Sequence, residues 1–409
     1  MTTDSVTEAY VSRQPIYRSH MDLFGYELLF RDGEKDHAVI VDGDRATASV
    51  ILNFFELGME RIVGKNRAFI NLTRNFILDG HCASLPSDRV VLEVLEDVTA
   101  DPEIVRALKG LSARGYLIAL DDFVYEDSLR PLVDLADIVK VDVLGIERAV
   151  LKQRVSALSG FDVALLAEKV ETQEDFDFCN GLGFDYFQGF FFCKPNLIHG
   201  KQIPANRMAA TRLVGKLQDP DIKEEELEET IKQDVTLSYK LLRFVNSAYC
   251  ALPRKVDSIG HAAMMIGTER IRIWASLLML ATMDDKPREL IVTAVVRAKM
   301  CEALAESLRL PATDQFFTVG LFSVLDAMLD ATLAEVLERL PLTEQITQAL
   351  GQHDGPLGQV LEFAIAYERS EWARLGDLTE QLKLAPADIR RAYFESVAWT
   401  LEIMDELNI

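Results

Sequence analysis

Short apolar runs that end on a side chain able to hold a cation or a phosphate recur through the first half of the chain. Residues 116–123, YLIALDDF, are the clearest case. Mostly apolar residues run into two adjacent carboxylates, the pattern of a strand buried on both faces whose C-terminal end delivers Asp121 and Asp122 to one place. AFIN closes on Asn71, RVVLE on Glu93, ADIVK on Lys140, DVALLAE on Glu168 and GFDYFQ on Gln188. Segments long enough for a crossover helix lie between them. In residues 101–114, Ile104, Val105, Leu108 and Leu111 recur at helical spacing. Strands alternating with helices, with functional side chains at the strand ends, predict an α/β TIM-type barrel whose chemistry sits on one face.

The runs begin upstream. Residues 10–17, YVSRQPIY, read as a first strand, followed by a turn and by residues 23–31, LFGYELLFR. There Glu27 sits among Tyr26, Leu28, Leu29 and Phe30, where a lone carboxylate is costly unless it is paired or binds a metal. Arg31 is the local candidate for a partner.

Composition sets outer limits. A chain of 409 residues with 49% hydrophobic residues can bury a large core and suits two domains. A net charge of -22 repels nucleic-acid backbones and anionic lipid, so no direct DNA or membrane binding is expected. An anionic ligand would need a metal or local cations. Five cysteines without a CxxC pair suit a reduced, cytoplasmic protein. The polar start MTTDSVTEAY lacks a secretory pattern, and the apolar run 273–283 is too short to span a bilayer.

GYELLFR resembles the signature of the EAL domain, the metal-dependent phosphodiesterase that opens cyclic di-GMP, with Leu28 where that motif has alanine. Other stations follow in family order: RQPI at 13–16 lies before it, and FINLT at 69–73, VLEVLE at 91–96, LDDF at 120–123, VKVD at 139–142, AEKVET at 167–172 and YFQGFFFCKP at 186–195 lie after it. The resemblance implies that Glu27, Asn71, Glu93 and Asp121 bind one Mg²⁺ or Mn²⁺ and that Asp122 binds a second. These are hard oxygen ligands suited to such ions. It further implies that Lys140 lies near the attacking water, that Glu168 orders metal-bound waters, and that Glu27, Lys140 and Glu168 form the catalytic set. Arg31 matches a phosphate-facing arginine and Gln188 a nucleotide-contacting glutamine, with Gln14 and Asp142 completing the substrate-binding set.

Several positions depart from the family. DDFVYEDSL replaces DDFGTGYSSL, one residue shorter and without two glycines, at a loop that supports the second metal and a dimer contact. Lys169 stands where AEGVET has glycine, and Leu95 replaces a threonine. The stretch between Glu27 and Asn71 is short, which predicts missing peripheral helices.

Residues 196–206, NLIHGKQIPAN, read as a boundary, so residues 1–200 are expected to form the barrel and 201–409 an all-α domain. DPDIKEEELEETI opens a helix with an acidic, solvated first turn. DVTLSYKLLRFVNSAY and SIGHAAMMIGTERIRIWA resemble the HDOD domain, a helical relative of HD phosphohydrolases. The metal site of those hydrolases is absent: His261 and His353 are the only histidines past 206, and GLFSVLDAML has Leu325 before Asp326. His261 reads as a core or cap residue, His353 with Asp354 as a surface turn, and Trp274, Leu277, Leu278 and Leu280 as a core stripe.

This domain order, grouped as YuxH-like, implies a cytoplasmic cyclic di-GMP phosphodiesterase yielding pGpG by two-metal catalysis. A non-catalytic HDOD domain would engage an unidentified signalling protein, and a homodimer is compatible with it. The alternative is a cyclic di-GMP receptor or scaffold without significant turnover.

Overall fold

A computed structural model describes residues 9–32, 47, 58–195, 205–247, 250, 252–281 and 286–407. The chain divides into two compact units, Met1–Phe191 with Glu368–Ala373, and Phe192–Tyr367 with Arg374–Ile409.

The first unit is a closed barrel of β1 (Ala9–Arg18), β2 (Leu23–Asp32), β3 (Arg67–Leu72), β4 (Val90–Val94), β5 (Leu117–Leu120), β6 (Ile138–Asp142), β7 (Ala164–Glu168) and β8 (Tyr186–Gln188), in that order around the ring. Strand–helix alternation fails at one place. β1 runs antiparallel to both β2 and β8, while the remaining neighbours are parallel. Residues 19–22 are too few for the crossover that a parallel pair needs. They form a tight turn instead, with Met21 at φ 64 and the Met21 amide donating to the Arg18 carbonyl at 2.8 Å.

The crossover helix expected over 101–114 spans Pro102–Ser112. Asp101 caps it by accepting from the Glu103 and Ile104 amides, proline occupies its first turn, and Ile104, Leu108 and Leu111 are buried. Each such buried side chain contributes about 1.5–3 kcal/mol relative to exposure. The crossover between β5 and β6 is reduced to one turn, Arg130–Val133. The expectation of missing helices between Glu27 and Asn71 falls largely on residues 33–46 and 48–57, outside the described residues.

The barrel interior is layered by the two-residue period of its strands. Ile16, Phe69, Val91, Ala119, Ile138 and Leu166 form one apolar layer, with Phe24, Leu117, Ala164 and Tyr186 against it. Gly25 completes this layer by vacancy: a Cβ there would lie 2.8 Å from the Arg67 carbonyl oxygen and 3.1 Å from the Phe69 ring. Two residues further towards the mouth, the same strands carry Gln14, Glu27, Asn71, Glu93, Asp121, Lys140, Glu168 and Gln188. A greasy plug therefore underlies a polar layer drawn from every strand.

The second unit is helical. Glu224–Lys232 carries the acidic first turn, and Asp234 and Ser258 cap Val235–Val245 and Ile259–Ile266. Trp274 packs at ring-centroid distances of 3.9 Å from Phe244, 5.7 Å from Trp399 and 6.1 Å from Phe317. Leu277, Leu278 and Leu280 are buried beside it, as a core stripe should be. His353, at φ 56, is the left-handed residue that ends Glu344–Gln352. His261 lies in a first turn capped by Ser258, and its side chain is 42% exposed, so it is no core residue. Leu325 is buried and precedes Asp326 on the short helix Leu325–Leu329. Among the described residues no helix is long and apolar enough to cross a membrane.

Candidate active site

The polar layer converges on one ammonium. Lys140, fully buried on β6, places Nζ 2.7 Å from Asp121 Oδ1, 2.7 Å from Glu93 Oε1, 2.9 Å from Glu168 Oε1 and 3.2 Å from Glu27 Oε2. Glu27 takes its described partners from other strands. Its Oε2 accepts from Gln188 Nε2 at 2.7 Å and from Lys140 at 3.2 Å, and its Oε1 accepts from Asn71 Nδ2 at 3.2 Å. Arg31 lies on β2 opposite Tyr10, but its side chain is outside the described residues.

Backbone register explains the convergence. Gln14 is the cross-strand partner of Glu27, so the two side chains share a face, and Gln188 Nε2 also donates to Gln14 Oε1 at 2.8 Å. Asn71 pairs with Glu93 in the β3–β4 ladder. Beyond β5 the ladder continues, since the Asp121 amide donates to the Val94 carbonyl at 2.9 Å and the Phe123 amide to the Lys140 carbonyl at 3.0 Å. Between them Asp122 turns at φ 45. That turn separates the adjacent acids: Asp121 joins the lysine cluster, while Asp122 is exposed at the lip.

At β8, Gly189 has φ 150, and a Cβ there would lie 2.0 Å from the Val170 carbonyl oxygen. The close approach lets the Val170 amide bond the Gln188 carbonyl at 2.9 Å and fixes Gln188 in the layer. The Thr47 hydroxyl holds the Asn71 carbonyl at 2.7 Å. Neither Gly189 nor Thr47 is a polar residue closing an apolar run. The glycine of YFQGF was a legible signal for a close backbone approach, whereas Thr47 carried none.

Four carboxyls cannot share one cation equally. Burial pushes Glu27 up, but the Lys140 charge and the hydrogen bonds from Gln188, Lys140 and Asn71 outweigh it and hold this carboxyl below its usual range. Burial pushes Glu93 well up, reinforced by the charge of Glu27. Asp121 is raised by burial, and Glu168 is raised by burial to about 7. Lys140, despite the burial that opposes its charge, is held well above its ordinary value by Glu27, Glu93, Glu168 and Asp121. Glu27 is thus the carboxyl most firmly held ionised, while burial favours the protonated form of the other three.

Four oxygens of the layer are left over. Glu93 Oε1 is near Nζ but makes no hydrogen bond, and Glu93 Oε2, Asn71 Oδ1 and Gln188 Oε1 are buried with no hydrogen-bond partner among the described residues. Leaving such groups unmet is costly. Among the described residues no three or more acids, cysteines or histidines form a ready metal cage, because the ammonium fills the point on which the oxygens converge. The donor set itself is all hard oxygen, and a divalent ion shared by Glu27, Asn71, Glu93 and Asp121 would engage the orphaned oxygens of Glu93 and Asn71. These residues fit the ion that the barrel family implies.

Asp142 stands apart from the layer. Its Oδ1 accepts from the Leu144 amide at 2.8 Å and its Oδ2 from the Lys169 ammonium, so both oxygens are engaged internally.

Family models match both halves, an EAL domain over residues 65–195 and an HDOD domain over 203–360. The Vibrio cholerae protein named cyclic di-GMP phosphodiesterase CdgJ is 34% identical over 98% of this chain and 94% of its own length. The chain belongs to the EAL–HDOD family. The uncharacterized Bacillus subtilis protein YuxH, another relative, is 32% identical over 97% of this chain and 99% of its own. A solved Listeria monocytogenes EAL protein is 19% identical, with a TM-score of 0.37, over 45% of this chain and 87% of that one. The calcium and cyclic di-GMP complex of Klebsiella pneumoniae BlrP1 is 23% identical, with the same TM-score, over 46% and 57%. The EAL match begins after β2, yet in this EAL–HDOD protein β1 and β2 contribute Gln14 and Glu27 to the polar layer.

Proposed function

We propose that the barrel hydrolyses cyclic di-GMP to linear pGpG with two Mg²⁺ or Mn²⁺ ions, and that residues 201–409 form a non-catalytic HDOD domain that engages a signalling partner. The carrying observation is the buried oxygen cluster around Lys140 with the orphaned oxygens of Glu93 and Asn71. The similarity to CdgJ, whose name states this activity, supports the choice of substrate.

Glu27, Asn71, Glu93 and Asp121 would hold one ion, and Asp122 the second. Bound ions would polarise the phosphodiester and lower the pKa of a coordinated water. With its carboxylate partners ligating an ion, the Lys140 ammonium would be free to donate to an anionic phosphate oxygen. Glu168, poised at about 7, can take a proton at neutral pH. The free Oε1 of Gln188 is an acceptor suited to a base N–H, with Gln14 fixing its amide. Arg31 is assigned to phosphate by its motif position.

A receptor without turnover is the second reading, favoured by the loop after Asp122, where Val124 is 49% exposed in place of the family's glycine. Purified protein incubated with cyclic di-GMP and Mn²⁺, followed by chromatography, separates the two. Product that vanishes in Glu27→Ala supports hydrolysis. Tight binding in Ca²⁺ without product in Mn²⁺ supports the receptor and refutes the enzyme.

A further inference from the structure

One cation at the strand tips is not used by the Lys140 cluster. Lys169 follows Glu168 at the end of β7 and adopts φ 56, the left-handed region that side chains with a Cβ disfavour. The family pattern has glycine here, for which that conformation is free. The chain therefore holds a charged side chain in the left-handed region where the family pattern has glycine.

The charge has a defined position. The Lys169 ammonium bonds Asp142 Oδ2, and the Leu144 amide holds Oδ1 of the same carboxylate at 2.8 Å, so the acceptor is pinned from both sides. Asp142 and Glu168 are register partners across β6 and β7, which sets Lys169 directly beside the acid-lined mouth. The hydrogen bond to Asp142 raises the Lys169 ammonium above its ordinary value, and the charges of Asp142, Asp122 and Glu168 add to it against partial burial. Asp122, exposed at the tip of β5, is thus within electrostatic reach of Lys169 while remaining outside the Lys140 cluster.

We infer that Lys169, tethered by Asp142 at the mouth, is a cation that opposes binding of the second divalent ion at Asp122, so that this ion binds only at raised free concentration. This rests on the reading of the mouth as a metal site. An ammonium anchored on Asp142 beside the mouth repels an incoming doubly charged ion. The family's glycine imposes no such penalty.

The test is Mn²⁺ uptake by the full chain without nucleotide, read from the electron paramagnetic resonance of free Mn²⁺, in wild type and in Lys169→Gly, Lys169→Gln and Lys169→Arg. Gln removes the charge while keeping a Cβ in the left-handed backbone, and Arg restores the charge. Wild type and Lys169→Arg should fill in two separated steps, whereas in Gly and Gln the second step should move to roughly tenfold lower Mn²⁺, as expected for loss of one charge at a partly exposed site. A first step intact in all four with a second step unmoved in Lys169→Gln overturns the role of Lys169. Absence of any uptake in wild type and variants instead overturns the metal reading, and the inference with it.

Discussion

Replacing Lys140 by methionine keeps most of the side-chain volume and removes the ammonium on which Glu27, Glu93, Asp121 and Glu168 converge. Breaking a buried ion pair by deleting one partner costs about 3–5 kcal/mol because it strands the other charge. Here the stranded charges include Glu27, which Lys140 helps hold below its usual range, and Glu168, whose pKa of about 7 leaves it ionised at pH 8. In metal-free buffer at pH 8, urea unfolding of Lys140→Met should therefore show a loss of about 3–5 kcal/mol. Without the ammonium, burial raises every folded carboxyl above its unfolded value. Such groups stabilise most when protonated and lose that stability as pH rises through the folded pKa. Much of the deficit should thus disappear at pH 5, and Mn²⁺ at pH 8 should narrow it by supplying another cation. A variant as stable as wild type at pH 8, or one whose deficit deepens towards pH 5, would refute the account of the cluster.

Other perturbations read separate parts of the site. Glu168 is raised from 4.5 to about 7, so in the metal-free protein its contribution to stability is largest below pH 4.5 and falls as pH rises to 7. Glu168→Gln should flatten that slope by about 3 kcal/mol in paired urea titrations, and an unchanged slope would assign the pH dependence elsewhere. Gly189→Ala puts a Cβ 2.0 Å from the Val170 carbonyl at φ 150. It should cost about 3 kcal/mol or more and weaken nucleotide binding by displacing Gln188, and wild-type stability and affinity would contradict the close-packing argument. Grafting a Gly-Thr-Gly segment over residues 124–128 should raise the rate of pGpG formation with Mg²⁺, and an equal or lower rate would clear this loop of blame.

How much of this was legible follows from periodicity. A strand end shows in sequence as an apolar run that stops on a polar side chain, so Asn71, Glu93, Asp121, Lys140, Glu168 and Gln188 announced themselves one by one. What the runs could not show is the layer. Each of these residues lies two positions beyond an apolar plug residue on its own strand, as Asn71 does beyond Phe69 and Lys140 beyond Ile138, and only closure of the barrel makes those offsets coincide in space. The antiparallel β1 was hidden for a related reason: a short turn between two strands is plain in residues 19–22, but its effect, setting Gln14 opposite Glu27, is a matter of register. Adjacent carboxylates misled in the opposite direction. Asp121 and Asp122 look like one delivery, yet a single left-handed residue sends the second out of the cluster towards the lip where Lys169 waits. Sequence spacing fixes which side chains alternate along one strand, while backbone handedness at the tips decides which of them meet, and the left-handed turn at Asp122 is what leaves Asp121 in the Lys140 cluster and Asp122 outside it.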